Sequence, residues 1–158
     1  EETQATAELC VKYNKSYVTI DSKHDSYLHQ HCAVNVVSKE CTESDGYKDK
    51  SIEEIYELLV ASTDGLVIIT SGENDMIYGR KGQLMKRMKP FSVDVKSTLG
   101  AGDTFKAGCV YGLLHGMEDD ELVRFASACS AIAISRFPLP LNPPTLLEVN
   151  SLLENTKK

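Results

Sequence analysis

The sequence predicts a doubly wound α/β fold, a mostly parallel sheet with an antiparallel hairpin at one side. Three observations carry that reading. Apolar runs of strand length alternate with stretches of helical periodicity, the pattern of βαβ units. Leu66-Val67-Ile68-Ile69-Thr70 is continuously hydrophobic, as in a strand buried on both faces of a parallel sheet. Strand patterns near Met76–Tyr78 and Gln83–Met88 flank Gly79–Gly82 as a hairpin would. The 158 residues suit one core, and 42% apolar with 25% charged residues excludes a disordered or fibrous chain. Seventeen Lys and Arg against twenty-three Asp and Glu give a net charge of −6, which argues against a nucleic-acid binder.

In chain order, Ala5, Leu9, Cys10 and Tyr13 recur at helical spacing over residues 3–14, and Ser16 to Ile20 is a β-branched and aromatic strand ending at Asp21. The first residue is not Met and the opening reads as mid-helix, so a longer parent protein is expected. Residues 24–30 suit a short helix, Ala33–Val37 a second strand, and Lys39–Ser44 a helical turn broken by Gly46. Ser51 and Glu54 have the spacing of a capping box, which predicts a helix over 51–63 with Ile52, Ile55, Leu58 and Leu59 as its apolar stripe. After Thr70 comes a polar turn over 71–75. Phe91–Val95 leads to Gly100-Ala101-Gly102, and Asp103 opens a helix through Phe105, Cys109, Leu113 and Leu114. A further helix spans about 120–135, and Thr145 with Glu148 caps the last one.

Ligands of such sheets sit at the carboxyl ends of strands, which here points to the loops at 70–75 and 96–103. Gly100-Ala101-Gly102-Asp103 is the most informative stretch. Small residues at a helix start let the backbone approach an anion and leave orphan N–H groups facing it. A carboxylate at the first helical position can take the proton of a hydroxyl attacking phosphorus held there. The plainer alternative makes Asp103 a helix-start residue and the glycines a tight turn. Ala107-Gly108 one turn on would let the helix pack closely on the sheet.

STLGAGDTFKAG, residues 97–108, resembles the second signature of the PfkB carbohydrate kinases of the ribokinase-like superfamily. LVIITSGENDMIYGRKGQ resembles that family's nucleotide-side strand and loop, and VRFASACSAIAISRF its helix beside the adenine. The resemblance covers nearly all of the chain but only the C-terminal half of the family. It implies that residues 1–158 are the nucleotide-binding and catalytic part, the N-terminal substrate and lid part being absent, so that this piece alone is inactive. It implies Asp103 as catalytic base and the backbone of Gly100, Ala101 and Gly102 as anion hole. It also implies Thr70, Gly72 and Glu73 along the nucleotide, with Ser127 near the adenine or ribose. ATP and Mg²⁺ are the implied cofactors, and a small sugar or polyol the acceptor.

Departures from the family pattern are specific. Ser97 stands where the family carries Asp and Leu99 where it carries a small or hydroxyl residue, and Arg136 and Pro138 lie in the same cation loop, which speaks against potassium activation. Val37-Ser38-Lys39-Glu40-Cys41 holds no clean copy of the family's magnesium-associated Asn-x-x-Glu, with Glu40 a substitute, and Asp75 replaces a usual Gly. The alternatives are a nucleoside or vitamin kinase of the same superfamily, or a non-catalytic nucleotide-binding regulatory module. A dinucleotide-binding dehydrogenase is disfavoured because no GxGxxG follows a first strand.

His24, His29 and His31 with Cys32 lack a ligand spacing and read as a solvated polar helix end, so no structural metal is expected. Arg80, Lys81, Lys86, Arg87 and Lys89 read as a solvated face, and Cys109, Cys129, Tyr111 and Phe125 as core. Five scattered cysteines, no membrane-length apolar run and no leader predict a cytoplasmic protein without membrane partners. The sequence leaves oligomeric state open, a homodimer of the full-length protein included.

Overall fold

The computed structural model describes residues 2–44, 46–138 and 142–156. It divides into two compact units, Glu1–Lys89 and Pro90–Lys158.

The first unit is α/β. It contains α1 (Glu2–Lys12), β1 (Val18–Ile20), α2 (Tyr27–Gln30), β2 (Val34–Val37), α3 (Lys39–Thr42), α4 (Ile52–Ala61), β3 (Leu66–Ser71), β4 (Asn74–Gly79) and β5 (Lys86–Met88). The strands lie in sequence order. β1, β2 and β3 are parallel, and β4 and β5 continue the sheet antiparallel, so the expected mixed sheet with its hairpin edge is present. Side chains of the central strands are buried in both directions: Val34, Val36, Val37, Leu66, Val67, Ile68 and Ile69 are at most 2% exposed. One set, Val37, Val67, Ile69 and Ile77, packs with Ile55, Tyr56, Leu59 and Val60 of α4 and with Tyr47. The capping box that starts α4 forms in both directions. Ser51 Oγ accepts from Glu54 N at 3.2 Å, and Ser51 N donates to Glu54 Oε2 at 2.7 Å.

Two expectations change here. The polar stretch after Thr70 is a tight hairpin rather than a five-residue turn: Ser71 pairs with Asn74, leaving Gly72 and Glu73 at the tip. Gly72 has φ +62 at the first of these two positions, where a two-residue hairpin favours glycine. His29, expected at a solvated helix end, is wholly buried. Its Nε2 donates to Leu59 O at 2.9 Å and its Nδ1 accepts from Asn35 Nδ2 at 2.8 Å. Both partners lie on other elements, so the polar look of residues 24–32 misleads at this position.

The second unit is helical: α5 (Ala101–Leu114), α6 (Asp119–Ile134) and α7 (Leu146–Asn155). Phe125, Ala128, Cys129, Ile132 and Val149 form its core with Phe91, Tyr111 and Leu152 against them. α5 and α6 run antiparallel, and glycine decides how near they come. A Cβ on Gly108 would stand 2.7 Å from Ala126 Cα, so the close approach expected of this glycine is made to α6. Gly116, at φ +65, ends α5. The donations of Met117 N to Gly112 O and of Gly116 N to Leu113 O close the last turn in a Schellman motif. Thr145 and Glu148 cap α7 reciprocally, as their spacing predicts. No helix among the described residues is long and apolar enough to cross a membrane.

Candidate active site

α5 begins two residues before Asp103. Gly100 is its N-cap in the left-handed conformation, φ +80, a backbone state that costs glycine little. Ala101 and Gly102 are the first helical residues, and Asp103 the third rather than the first. Gly100 O accepts from Thr104 N at 2.9 Å and from Thr104 Oγ1 at 2.8 Å, closing the first turn. Ala101 N is committed to Thr98 O at 3.1 Å. Among the described residues the N–H groups of Gly100, Gly102 and Asp103 have no acceptor, and those of Gly102 and Asp103 are open donors within the first turn, at the positive end of the helix. The Asp103 side chain is 82% exposed, with Lys106 Nζ at 3.8 Å from its Oδ1.

Further contacts, not legible in the sequence, fix this turn. Lys96 N and Ser97 N donate to Ile134 O at 2.8 and 3.2 Å, and Ser130 Oγ donates to Ala101 O at 3.1 Å. Ser97 Oγ accepts from Leu99 N within the turn. Arg136 holds the segment before α7, donating to Asn142 Oδ1 at 3.1 Å and Glu148 Oε1 at 2.5 Å. The guanidinium and the Thr145 hydroxyl and amide pull the Glu148 carboxyl down to about 2. An open groove of about 450 Å³ runs from Asp103 and Thr104 past Ala107 and Tyr111 to Pro143 and Leu146.

The remaining candidates are spread over both units. Ser127 lies on α6 and is 3% exposed. Thr70 stands at a register shift in β3, its Oγ1 donating to Val37 O at 3.4 Å. Gly72 is the hairpin tip with nothing within 4 Å of where a Cβ would be. Glu73 beside it lines a polar groove of about 780 Å³ with Lys39, Glu43, Asp75, Arg87 and Lys89. Arg87 in turn pairs with Glu53 at 2.6 Å. In the segment 37–41, Ser38 caps α3 by accepting from Cys41 N, and its own N–H donates to Asp21 Oδ1. Glu40 is exposed. Among the described residues no three His, Cys, Asp or Glu side chains are grouped to hold an ion.

Residues 19–144 match the pfkB family carbohydrate kinase pattern, most of the chain. The chain belongs to the pfkB family. Two pfkB relatives are 5-dehydro-2-deoxygluconokinases. That of Shouchella clausii is 33% identical over 103 residues, 65% of this chain and 31% of that protein. That of Bacillus subtilis is 30% identical over 105 residues, 66% and 32% respectively. Among solved structures the pfkB chain shares the fold of Thermotoga maritima ribokinase, with TM-score 0.81, 22% identity and coverage of 95% of this chain and 52% of that one. Arabidopsis thaliana ribokinase complexed with ribose and ATP gives TM-score 0.80 and 18% identity over 96% of this chain and 51% of that one. The chain therefore matches about a third of the length of the curated relatives and about half of the structures.

Proposed function

We propose that this pfkB chain is the C-terminal, nucleotide-binding and catalytic part of a sugar kinase that transfers a phosphoryl group from ATP to a hydroxyl of a small sugar or polyol. The observation that carries the reading is the Gly100–Asp103 turn: open N–H donors and a solvent-facing carboxylate on one helix turn, within a signature that lies inside the family match. In this reading Asp103 accepts the proton as the acceptor oxygen bonds to the γ-phosphorus and the bond to the ADP oxygen breaks. The Gly100-Ala101-Gly102 backbone stabilises the charge on the transferring group, chiefly through Gly102 N–H and its neighbour at Asp103. Thr70, Gly72 and Glu73 line the nucleotide, with Ser127 at its adenine or ribose.

Magnesium would come with the nucleotide. Among the described residues no three His, Cys, Asp or Glu side chains are grouped to hold it. Turnover by residues 1–158 alone is not expected, because an acceptor must be held about 3 Å from the base and the proposed substrate part is outside this chain. The relatives named as kinases of a sugar acid support a sugar acceptor. The apolar groove beside Asp103, with Tyr111 and Phe125 in its wall, is the one feature that favours a nucleoside or vitamin instead.

The test is Asp103→Asn in the full-length protein. The change keeps size and removes basicity, so kcat should fall by about 10² to 10⁴ while nucleotide affinity stays nearly constant. Gly100, not Asp103, caps this helix, and no side-chain capping bond forms there, so an unchanged kcat on an accepted sugar would return Asp103 to a merely structural role.

A further inference from the structure

We infer that Ser130, on α6, is a positioning residue that aims the Gly102 N–H of the phosphoryl-binding turn. The inference rests on the reading of that turn as the anion hole. The geometry of one peptide unit carries it. Ala101 C=O and Gly102 N–H belong to the same planar trans amide, so they point in opposite directions and cannot rotate independently. Ser130 Oγ grips that carbonyl at 3.1 Å. Fixing the oxygen fixes the direction of the open donor on its far side.

α6 holds the turn at two points. Upstream of Gly100, Ile134 O accepts from Lys96 N and Ser97 N, a backbone grip that substitution at Ile134 would leave in place. Downstream, the grip is the Ser130 hydroxyl. Between the two, the chain passes through the left-handed bend at Gly100. Serine within a helix ordinarily returns its hydroxyl to a carbonyl of its own preceding turn. Here the hydroxyl reaches another helix, 29 residues away in sequence. That reach depends on the close contact of Gly108 with Ala126, which brings α6 within one hydroxyl's length of α5. Gly108 and Ser130 are thus two parts of one arrangement, the glycine setting the spacing and the serine using it.

Two measurements test the assignment. In the full-length protein, Ser130→Ala should lower kcat about three- to tenfold, the worth of one aimed hydrogen bond, with KM for ATP and for the sugar within about twofold. Ser130→Thr, which keeps the oxygen, should recover most of the loss. In the 158-residue chain, titration with inorganic pyrophosphate followed by ¹⁵N NMR should move the Gly102 amide in the wild type and move it less in Ser130→Ala. A folded Ser130→Ala protein with wild-type kcat and a wild-type Gly102 response, beside an inactive Asp103→Asn, overturns the positioning role alone. The same holds if Ser130→Ala lowers only the thermal midpoint. Wild-type turnover in Asp103→Asn would instead remove the catalytic reading beneath it.

Discussion

His29 shows what one buried side chain can impose on its surroundings. A carbonyl only accepts and the Asn35 amide nitrogen only donates, so the ring must carry its proton on Nε2. A second proton would have to enter at Nδ1, directly against the Asn35 NH₂. Burial, with a smaller opposing pull from the Leu59 carbonyl and a push from His24, holds the His29 pKa below its ordinary 6.5. The unfolded chain therefore takes up a proton as pH falls through about 6.5 while the folded chain does not. Stability drops from there until the depressed folded value is reached. Urea unfolding at pH 8, 6.5 and 5 should show the midpoint falling across this window, with a smaller fall in His29→Gln; an identical fall in both proteins would acquit the histidine. Glu148 acts lower. Its carboxyl, held at about 2, adds stability above about 4.5 that is lost between 4.5 and 2.

At the scale of elements, two glycines of α5, Gly108 and Gly112, stand where a Cβ would press on α6, and at Gly108 it would meet backbone. Gly108→Ala gains up to about 1 kcal/mol of helix propensity. It also places a carbon 2.7 Å from a backbone atom of Ala126 that cannot swing aside. Overpacking of this kind costs about 1–3 kcal/mol, so the clash should win and the thermal midpoint measured by circular dichroism should fall. A midpoint at or above wild type would mean that the helices separate freely. The elements legible in the sequence are those whose causes are local. The two capping boxes need only residues three apart, and β3 needs only its own apolar run. The start of α5 is less legible, because a left-handed Gly100 provides the cap where side-chain rules look for Ser, Thr, Asn or Asp. The polar tip after Thr70 is shorter than its composition suggests because backbone pairing recruits Ser71 and Asn74. At the candidate site the glycines and Asp103 were readable as a motif. Ser130 was not, since its partner lies 29 residues away, just as His29 finds Leu59 thirty residues on.

At the scale of the whole molecule, each unit has a core of its own, one built on the sheet and α4, the other on α6 and α7. The five cysteines sample both. Cys32 in the first unit and Cys109 and Cys129 in the second are buried, and desolvation pushes all three thiols up, Cys32 and Cys129 to about 11. Cys10 and Cys41 are only partly covered, though burial also raises Cys41. Thiolate is the form that alkylates, so burial of these sulfurs turns conformational opening into a covalent record. Iodoacetamide at pH 8 should label Cys10 first and Cys41 more slowly, leaving the other three until their unit opens. Peptide mass spectrometry at increasing urea would then time the two halves separately, Cys32 reporting on one and Cys109 with Cys129 on the other. Native-state labelling of Cys109 as fast as Cys10 would contradict its burial, whereas simultaneous late labelling of all three would make the two units a single cooperative one.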